Sequence, residues 1–318
     1  MILTVTLNPA LDRTMIVPNF TAGFRNRAID TVIYPGGKGI NVARAAKSLG
    51  RPVIATGFLG GRKGEQILAD LNSEGILNDF VRIEDESRLT MAIVDPSTNS
   101  VTEITETGTE IRPSEVDLMY EKLDYLGKAA DVAVLAGSVP RGLDDDCYVH
   151  MIERLRRMGV KTFFYTYADP LRRGIKAAPD YVFPKLVEAE KLIGYEFTSL
   201  SDRIQAARRM REMGAGSVVI TFRYGCVAEL TDGEVSRTYV GKMPEVDAIS
   251  PLGWGDALVG GYAVRLQEGE RPVECLRFGL GCAAASLTQY GAGVFLPADA
   301  ARLAAAVELE EVSAGSED

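Results

Sequence analysis

From residue 131 to residue 222 the chain alternates short β-rich apolar runs with segments of helical periodicity. Residues 131–136 precede a helical pattern over 145–158; residues 160–165 lead to a helix near 172–177, and 181–183 to one over 185–193. A further helical stretch, 204–213, delivers the apolar run 217–222. A strand joined to the next by a helix pairs with it in parallel, because the helix returns the chain to the starting edge. The expected fold is α/β, a mostly parallel sheet between two helical layers. The 318 residues fit one large unit of this kind, or two domains of about 150 residues each.

Two stretches break the rhythm. Residues 13–17 and 27–34 read as strands, as do 89–95 and 101–106, the last two flanking the hairpin signal Pro96-Ser97-Thr98-Asn99. Without intervening helices these segments suit a small antiparallel flap, which would exclude water from a crevice beneath it. The C-terminal third reads as helices at 256–267, 272–289 and 297–308, and residues 41–49 as a helix stopping at Gly50. Residues 278–298 carry no charge, but Gly279, Gly281, Gly291, Gly293 and Pro297 interrupt them, which favours a buried helix and a loop over a membrane span. The first residues alternate like a strand and lack the basic region of a leader.

Composition narrows the chemistry. With 35 basic and 44 acidic residues the net charge is −9. That argues against a nucleic-acid partner and against an anionic membrane, while a local cluster of Lys and Arg can still hold a small anion. Cys147, Cys226, Cys275 and Cys282 form no C-x-x-C pair, and His150 is the single histidine, so no zinc site is expected. Sparse thiols suit a reducing cytoplasm. His150 lies in the polar start of a helix and reads as a surface residue.

Leu252-Gly253-Trp254-Gly255-Asp256-Ala257 is the strongest local signal. Glycines at a helix entrance let successive N–H groups converge on an anion, and the helix dipole favours negative charge there. Asp256 beside such a nest could take a proton from an attacking hydroxyl; equally, it could be an ordinary first-turn carboxylate. Tyr34-Pro35-Gly36-Gly37-Lys38-Gly39-Ile40-Asn41 brings a lysine and an asparagine together at a second helix start. It is no Walker A loop, since Gly39 follows Lys38. Gly279-Leu280-Gly281-Cys282-Ala283-Ala284 matches a dinucleotide fingerprint but has no strand before it, so it reads as close helix packing. Ala136 to Gly142 turns sharply after a strand, at the edge where α/β sheets bind ligands.

Together, and in this order, these pieces resemble the ribokinase-like sugar kinases, in the branch holding 1-phosphofructokinase and tagatose-6-phosphate kinase. Asn8-Pro9-Ala10-Leu11-Asp12 matches that branch's N-P-A-x-D. Gly36 to Ala43 matches its G-G-K-G-I-N-V-A, Gly137 to Gly142 its G-S-x-P-x-G, and Gly253 to Asp256 stands where the family has G-A-G-D. The resemblance implies a three-layer αβα core with a β lid: one domain over 1–307, the lid from about 11–35 and 87–108, and 308–318 an acidic tail that frays. It implies ATP and magnesium acting on a ketohexose monophosphate in the cytoplasm. Asp256 would be the general base, and the amides of Gly253, Trp254 and Gly255 the anion hole. Asp12, Gly37, Lys38, Asn41, Arg88 and Ser138 would hold the sugar phosphate; Lys185, Thr221, Arg223 and Gly225 would line the nucleotide, with Glu188 organising magnesium through water. Lids of this kind pair across a homodimer, and Ile16 and Ile93 are the expected contact.

The departures cluster on the nucleotide side. K-P-N-x-x-E reads Phe183-Pro184-Lys185-Leu186-Val187-Glu188, D-[ST]-S reads Tyr165-Thr166-Tyr167, and L-G-x-x-G reads Phe222-Arg223-Tyr224-Gly225-Cys226. Trp254 replaces the alanine of the anion hole. On the sugar side T-R-x-N is Ser87-Arg88-Leu89-Thr90. Losing glycine at 223 removes freedom where a positive φ is needed, whereas Lys185 and Arg223 add positive charge. These changes keep two alternatives open: a catalytically silent sugar-phosphate binder on the same scaffold, and a kinase with another donor or substrate.

Overall fold

The computed structural model describes residues 1–312. The chain runs β1 (Ile2–Thr6), β2 (Ala10–Ile16), β3 (Asp30–Gly36), α1 (Lys38–Ser48), β4 (Val53–Gly60), α2 (Gly61–Ser73), β5 (Leu77–Asn78), β6 (Val81–Ile83), β7 (Arg88–Asp95), β8 (Ser100–Thr105) and α3 (Pro113–Gly127). It continues through β9 (Val132–Ala136), α4 (Cys147–Arg157), β10 (Lys161–Tyr165), α5 (Ala168–Gly174), β11 (Tyr181–Val182), α6 (Leu186–Ile193), α7 (Leu200–Glu212) and β12 (Ser217–Phe222). The last elements are β13 (Gly225–Asp232), β14 (Val235–Lys242), α8 (Trp254–Gln267), α9 (Pro272–Leu287), α10 (Pro297–Ala304) and β15 (Glu308–Val312).

The expected parallel sheet is present, ordered β15-β14-β13-β12-β11-β10-β9-β1-β4-β5 with β6 beside β4, and parallel from β12 to β5. Its central strands β1 and β9 are buried along their whole length and mostly apolar because both faces are covered. In β10, Phe163 and Tyr165 face one core, built from α1, α2, α8, α9 and α10, while Phe164 faces the other, built from α3 to α7. Burying each such aromatic is worth roughly 1.5–3 kcal/mol. Chain order reverses between β1 and β9, which pair from Ile2↔Val132 to Thr6↔Ala136, so a crevice opens beyond their C-terminal ends.

The flap is a four-stranded sheet, β3-β2-β7-β8. Two antiparallel hairpins, β2/β3 and β7/β8, join along a parallel seam, Ala10↔Arg88 to Ile16↔Val94. Ile93 is buried and Ile16 half-buried; the exposed apolar residues of the flap are instead Phe24, Ile29, Val32, Ile33 and Ile104. Ile93 lies in the run Ala92–Asp95 at the end of β7, which is buried on both faces.

The tail differs from expectation. Glu308–Val312 is a strand that closes the sheet edge against β14, with Gly241 opposite Leu309. Leu309 docks on the core and Arg237 meets Glu311 at 3.5 Å, so the acidic residues decorate a paired strand. The remainder of the expected tail, 313–318, lies outside the described residues. Among the described residues no helix is long and apolar enough to cross a membrane; the uncharged stretch is α9 and the loop after it. Gly281 packs on Ala304 and Gly279 on Leu258, which accounts for the fingerprint-like glycines.

Candidate active site

A cleft of about 430 Å³ opens between the flap and the C-terminal ends of β1, β9 and β10. From β2 and β3, Asp12, Thr14 and Tyr34 face it; from β7 and β8, Thr90, Glu103 and Thr105 do. Asp12 lies against Gly36, where any Cβ would collide with its carboxylate. Burial lifts the Asp12 carboxyl to about 7, opposed by the Arg88 guanidinium and a hydrogen bond from Thr90. Arg88 donates to Asn8 O and Thr90 Oγ1, each at 3.1 Å. Asn8 Nδ2 donates to Ser138 Oγ at 3.1 Å, in the turn after β9. Gly37, with φ 112°, caps α1 where a Cβ would sit 2.8 Å from Thr6 Cγ2.

Asp256 forms the floor. It is buried in the first turn of α8, which begins after Gly253 in a left-handed conformation, φ 76°. Amides of that first turn have no carbonyl one turn earlier to bond. Asn41 Nδ2 donates to Asp256 Oδ2 at 2.7 Å. Burial pushes the Asp256 carboxyl up, while Asn41, Lys38, Tyr165 and Lys185 favour its ionised form. Tyr165 stands at the end of β10 in contact with the helix entrance: a Cβ on Gly255 would lie 2.7 Å from its hydroxyl. Lys38 Nζ lies over the Tyr165 ring, 4.1 Å from its centroid, and 5.2 Å from that of Tyr167. It reaches Glu188 Oε1 at 3.7 Å, with no hydrogen-bond partner among the described residues. Burial lowers the Lys38 pKa against the opposing carboxylates. A cation held by ring faces and one loose ion pair keeps its donors available to an arriving anion.

A second cleft, about 840 Å³, adjoins the first. Tyr167, Lys185, Pro251 and Trp254 line both, so Trp254 stands in the shared wall. Its other lining is largely apolar (Leu186, Val187, Phe222, Met243, Leu287) with Lys191 and Arg223. Lys185 is exposed at the mouth. Thr221 lines the cleft while its N–H and hydroxyl both donate to Pro184 O, at 2.9 and 3.4 Å, fixing the turn that carries Lys185. In the turn between β12 and β13 the positive φ, 64°, falls at Tyr224, whose ring lies 5.0 Å from the Arg223 guanidinium, and not at Arg223, so the turn needs no glycine at 223. Gly225 is buried at the start of β13, where a Cβ would meet Gly241 O at 2.5 Å, and it does not line the cleft. Glu188 closes a capping box on the Lys185 amide at 2.7 Å, leaving Oε1 toward Lys38.

The profile of the pfkB family of carbohydrate kinases matches residues 5–299. The chain belongs to this family. A 1-phosphofructokinase of Escherichia coli K12 is 32% identical over 310 residues, 96% of this chain and 97% of its own length. One from Borreliella burgdorferi is 30% identical, over 90% of this chain and 91% of its own. The solved structure of a possible 1-phosphofructokinase from Thermotoga maritima superposes with a TM-score of 0.90 at 26% identity, covering 98% of this chain and 100% of that one. For this pfkB kinase, sequence motifs reach Asp12, Lys38, Asn41, Ser138 and Asp256, which the fold gathers in one cleft. Asn8 and Tyr34 stand inside motifs without an assigned role and Glu103 carries no local signal, yet the flap strands and the turn after β1 bring all three to the cleft; Arg44, outside the lining, stands behind Asn41 on α1. His150 is exposed on α4, 6.5 Å from the Tyr120 ring and away from both clefts.

Proposed function

We propose that this kinase transfers a phosphoryl group from ATP to a hydroxyl of a ketohexose monophosphate, with Asp256 as general base. The observation that carries this reading is a buried carboxylate at a helix entrance, beneath the wall shared by a polar, cation-bearing cleft and a larger apolar one. The first suits a phosphorylated polyol: Asp12, Asn41 and Ser138 supply acceptors and donors for hydroxyls, Lys38 and Arg88 positive charge. The second suits a nucleoside, with Lys185 and Arg223 toward its phosphates. The relatives' names support the ketohexose phosphate as acceptor.

Asp256 accepts the hydroxyl proton as the oxygen attacks the terminal phosphorus, the bond to the bridging oxygen breaks, and ADP leaves with that electron pair. The amides after Gly253 and Lys38 face the charge that grows on the transferred group. Magnesium suits the donors present, since it keeps its waters and needs few carboxylates beside the substrate phosphates; Glu188, whose Oε1 makes only a 3.7 Å ion pair, would hold it through water. When bound it would offset phosphate charge.

The test is ATP turnover with fructose 1-phosphate, fructose 6-phosphate and tagatose 6-phosphate. One of them is converted, and its KM rises as pH falls through about 7, where Asp12 takes up a proton and stops accepting hydroxyl hydrogen bonds. Calorimetry that finds sugar-phosphate binding without nucleotide binding would reduce the chain to a silent binder; turnover only with another donor would change the donor. The exposed apolar residues of the flap, Phe24, Ile29, Ile33 and Ile104, support a homodimer closed through the lids. Light scattering should return the dimer mass, and Ile104→Asp the monomer; a monomeric parent ends that reading. Four free, buried cysteines suit a cytoplasmic setting.

A further inference from the structure

Arg44 lies on α1 one turn beyond Asn41, in no motif with an assigned chemistry, and only 11% of its side chain is exposed. Its guanidinium has five N–H donors and no acceptor, and every donor position is engaged. Nε donates to Glu74 Oε2 at 2.7 Å and Nη2 to Glu74 Oε1 at 3.0 Å, a bidentate pair across to the end of α2. Nη2 also donates to Pro35 O at 2.9 Å, at the root of the flap strand β3. Nη1 donates to Asn41 Oδ1 and to Ala292 O, both at 3.0 Å. Ala292 is the residue on which Gly253 is seated.

The bond to Asn41 has a chemical consequence. A guanidinium can only donate, so it accepts no amide hydrogen and admits Asn41 solely with Oδ1 toward it. That leaves Nδ2 pointing the other way, where it meets the Asp256 carboxylate at 2.7 Å. The reversed amide would set N–H against N–H at one end and oxygen against carboxylate at the other. One cation therefore fixes the flap root, the backing of the helix entrance and the direction of the amide that touches the base.

We propose that Arg44 is a positioning residue for phosphoryl transfer, locking the Asn41 amide toward Asp256 and tying that lock to the root of the flap. This rests on the reading of Asp256 as general base. Around Asp256 stand Asn41 and Lys38 from α1, Tyr165 from β10 and Lys185 before α6; all four favour its ionised form. Losing the Asn41 donor removes one of these supports, so the base takes up its proton at a higher pH.

The experiment compares kcat against pH for the parent, Arg44→Lys, Asn41→Ala and the double variant. Lysine keeps the charge but not the planar fork, so it cannot serve Glu74, Pro35, Asn41 and Ala292 together. Arg44→Lys should lower kcat about tenfold or more, as misplacement of a reacting group does, and move the acid limb to higher pH, as Asn41→Ala does. The double variant should fall no further than Asn41→Ala alone. A fall in kcat with an unmoved acid limb, or losses that add in the double variant, overturns the proposal and leaves Arg44 a merely structural residue. If Arg44→Lys fails to fold, Glu74→Gln removes the anchoring charge in its place: the same limb shift, smaller, supports the proposal, and an unmoved limb overturns it. A parent whose turnover survives Asp256→Asn undamaged overturns the base assignment itself, a separate result from an unmoved limb.

Discussion

Asp256→Asn is expected to turn over roughly 10²–10⁴-fold more slowly than the parent, the range that general base catalysis contributes, with nucleotide and sugar-phosphate affinities little changed. The substitution is close to isosteric. Asn41 Nδ2, which now donates to the carboxylate at 2.7 Å, can donate to the new amide oxygen in the same place. What disappears is the ability to accept a proton from an alcohol. Stability should not suffer. The Asp256 carboxyl is raised above its ordinary value by burial, so the fold prefers its protonated form. Its contribution is present below the ordinary carboxylate value and lost as pH rises through the folded one. At pH 8 the variant therefore melts no lower than the parent. Parallel measurement of kcat, calorimetric affinities and Tm checks all three statements, and wild-type turnover in the variant would remove Asp256 from the chemistry.

What can be read from the sequence divides along physical lines. The parallel core is legible because strands buried on both faces are short and predominantly apolar, and Val132–Ala136, Lys161–Tyr165 and Ser217–Phe222 fall at the positions where such runs occur. The antiparallel edge is harder. β13 and β14 turn through the two-residue loop Gly233-Glu234, with Gly233 at φ 62°, a Gly-X hairpin signal that the helical rhythm before it obscures. β15 reads as solvated tail because Glu308, Glu310 and Glu311 dominate it; only Leu309, opposite Gly241, marks its docking. In the site, glycine-flanked residues announce themselves, since close backbone approach leaves a compositional trace. Partnerships formed by topology leave none. Asn41 and Asp256 are 215 residues apart in sequence, and nothing local to either predicts their bond. Arg44 looks like one more helical arginine, and Tyr165 like a lost acidic position, until β10 and α1 bring its ring beneath Lys38.

The seat of Gly253 provides the sharpest separation of the anion site from mere stability. Gly253→Ala faces two obstacles. Its φ of 76° lies in the left-handed region, where an L-residue is disfavoured by about 1–2 kcal/mol. In addition, the new Cβ would collide with Ala292 and lie 2.8 Å from the Gly293 nitrogen. Backbone cannot swing aside as a side-chain tip can, and Ala292 is tethered through its carbonyl to Arg44 at 3.0 Å. The start of α8 must move instead, carrying the amides after residue 253 and the Asp256 carboxylate with it. Losing one preorganised donor to a developing anion costs about 10²–10³ in kcat, so a fall of about that size is expected, with a lower Tm. Gly269→Ala is the matched control. Its φ is 84°, it follows the far end of the same helix, and nothing lies within 4 Å of the Cβ it would gain. It shares the conformational strain without the collision, so it should lose stability but keep its kcat. Equal kcat in the two variants would mean that the entrance of α8 does not hold the transferred group.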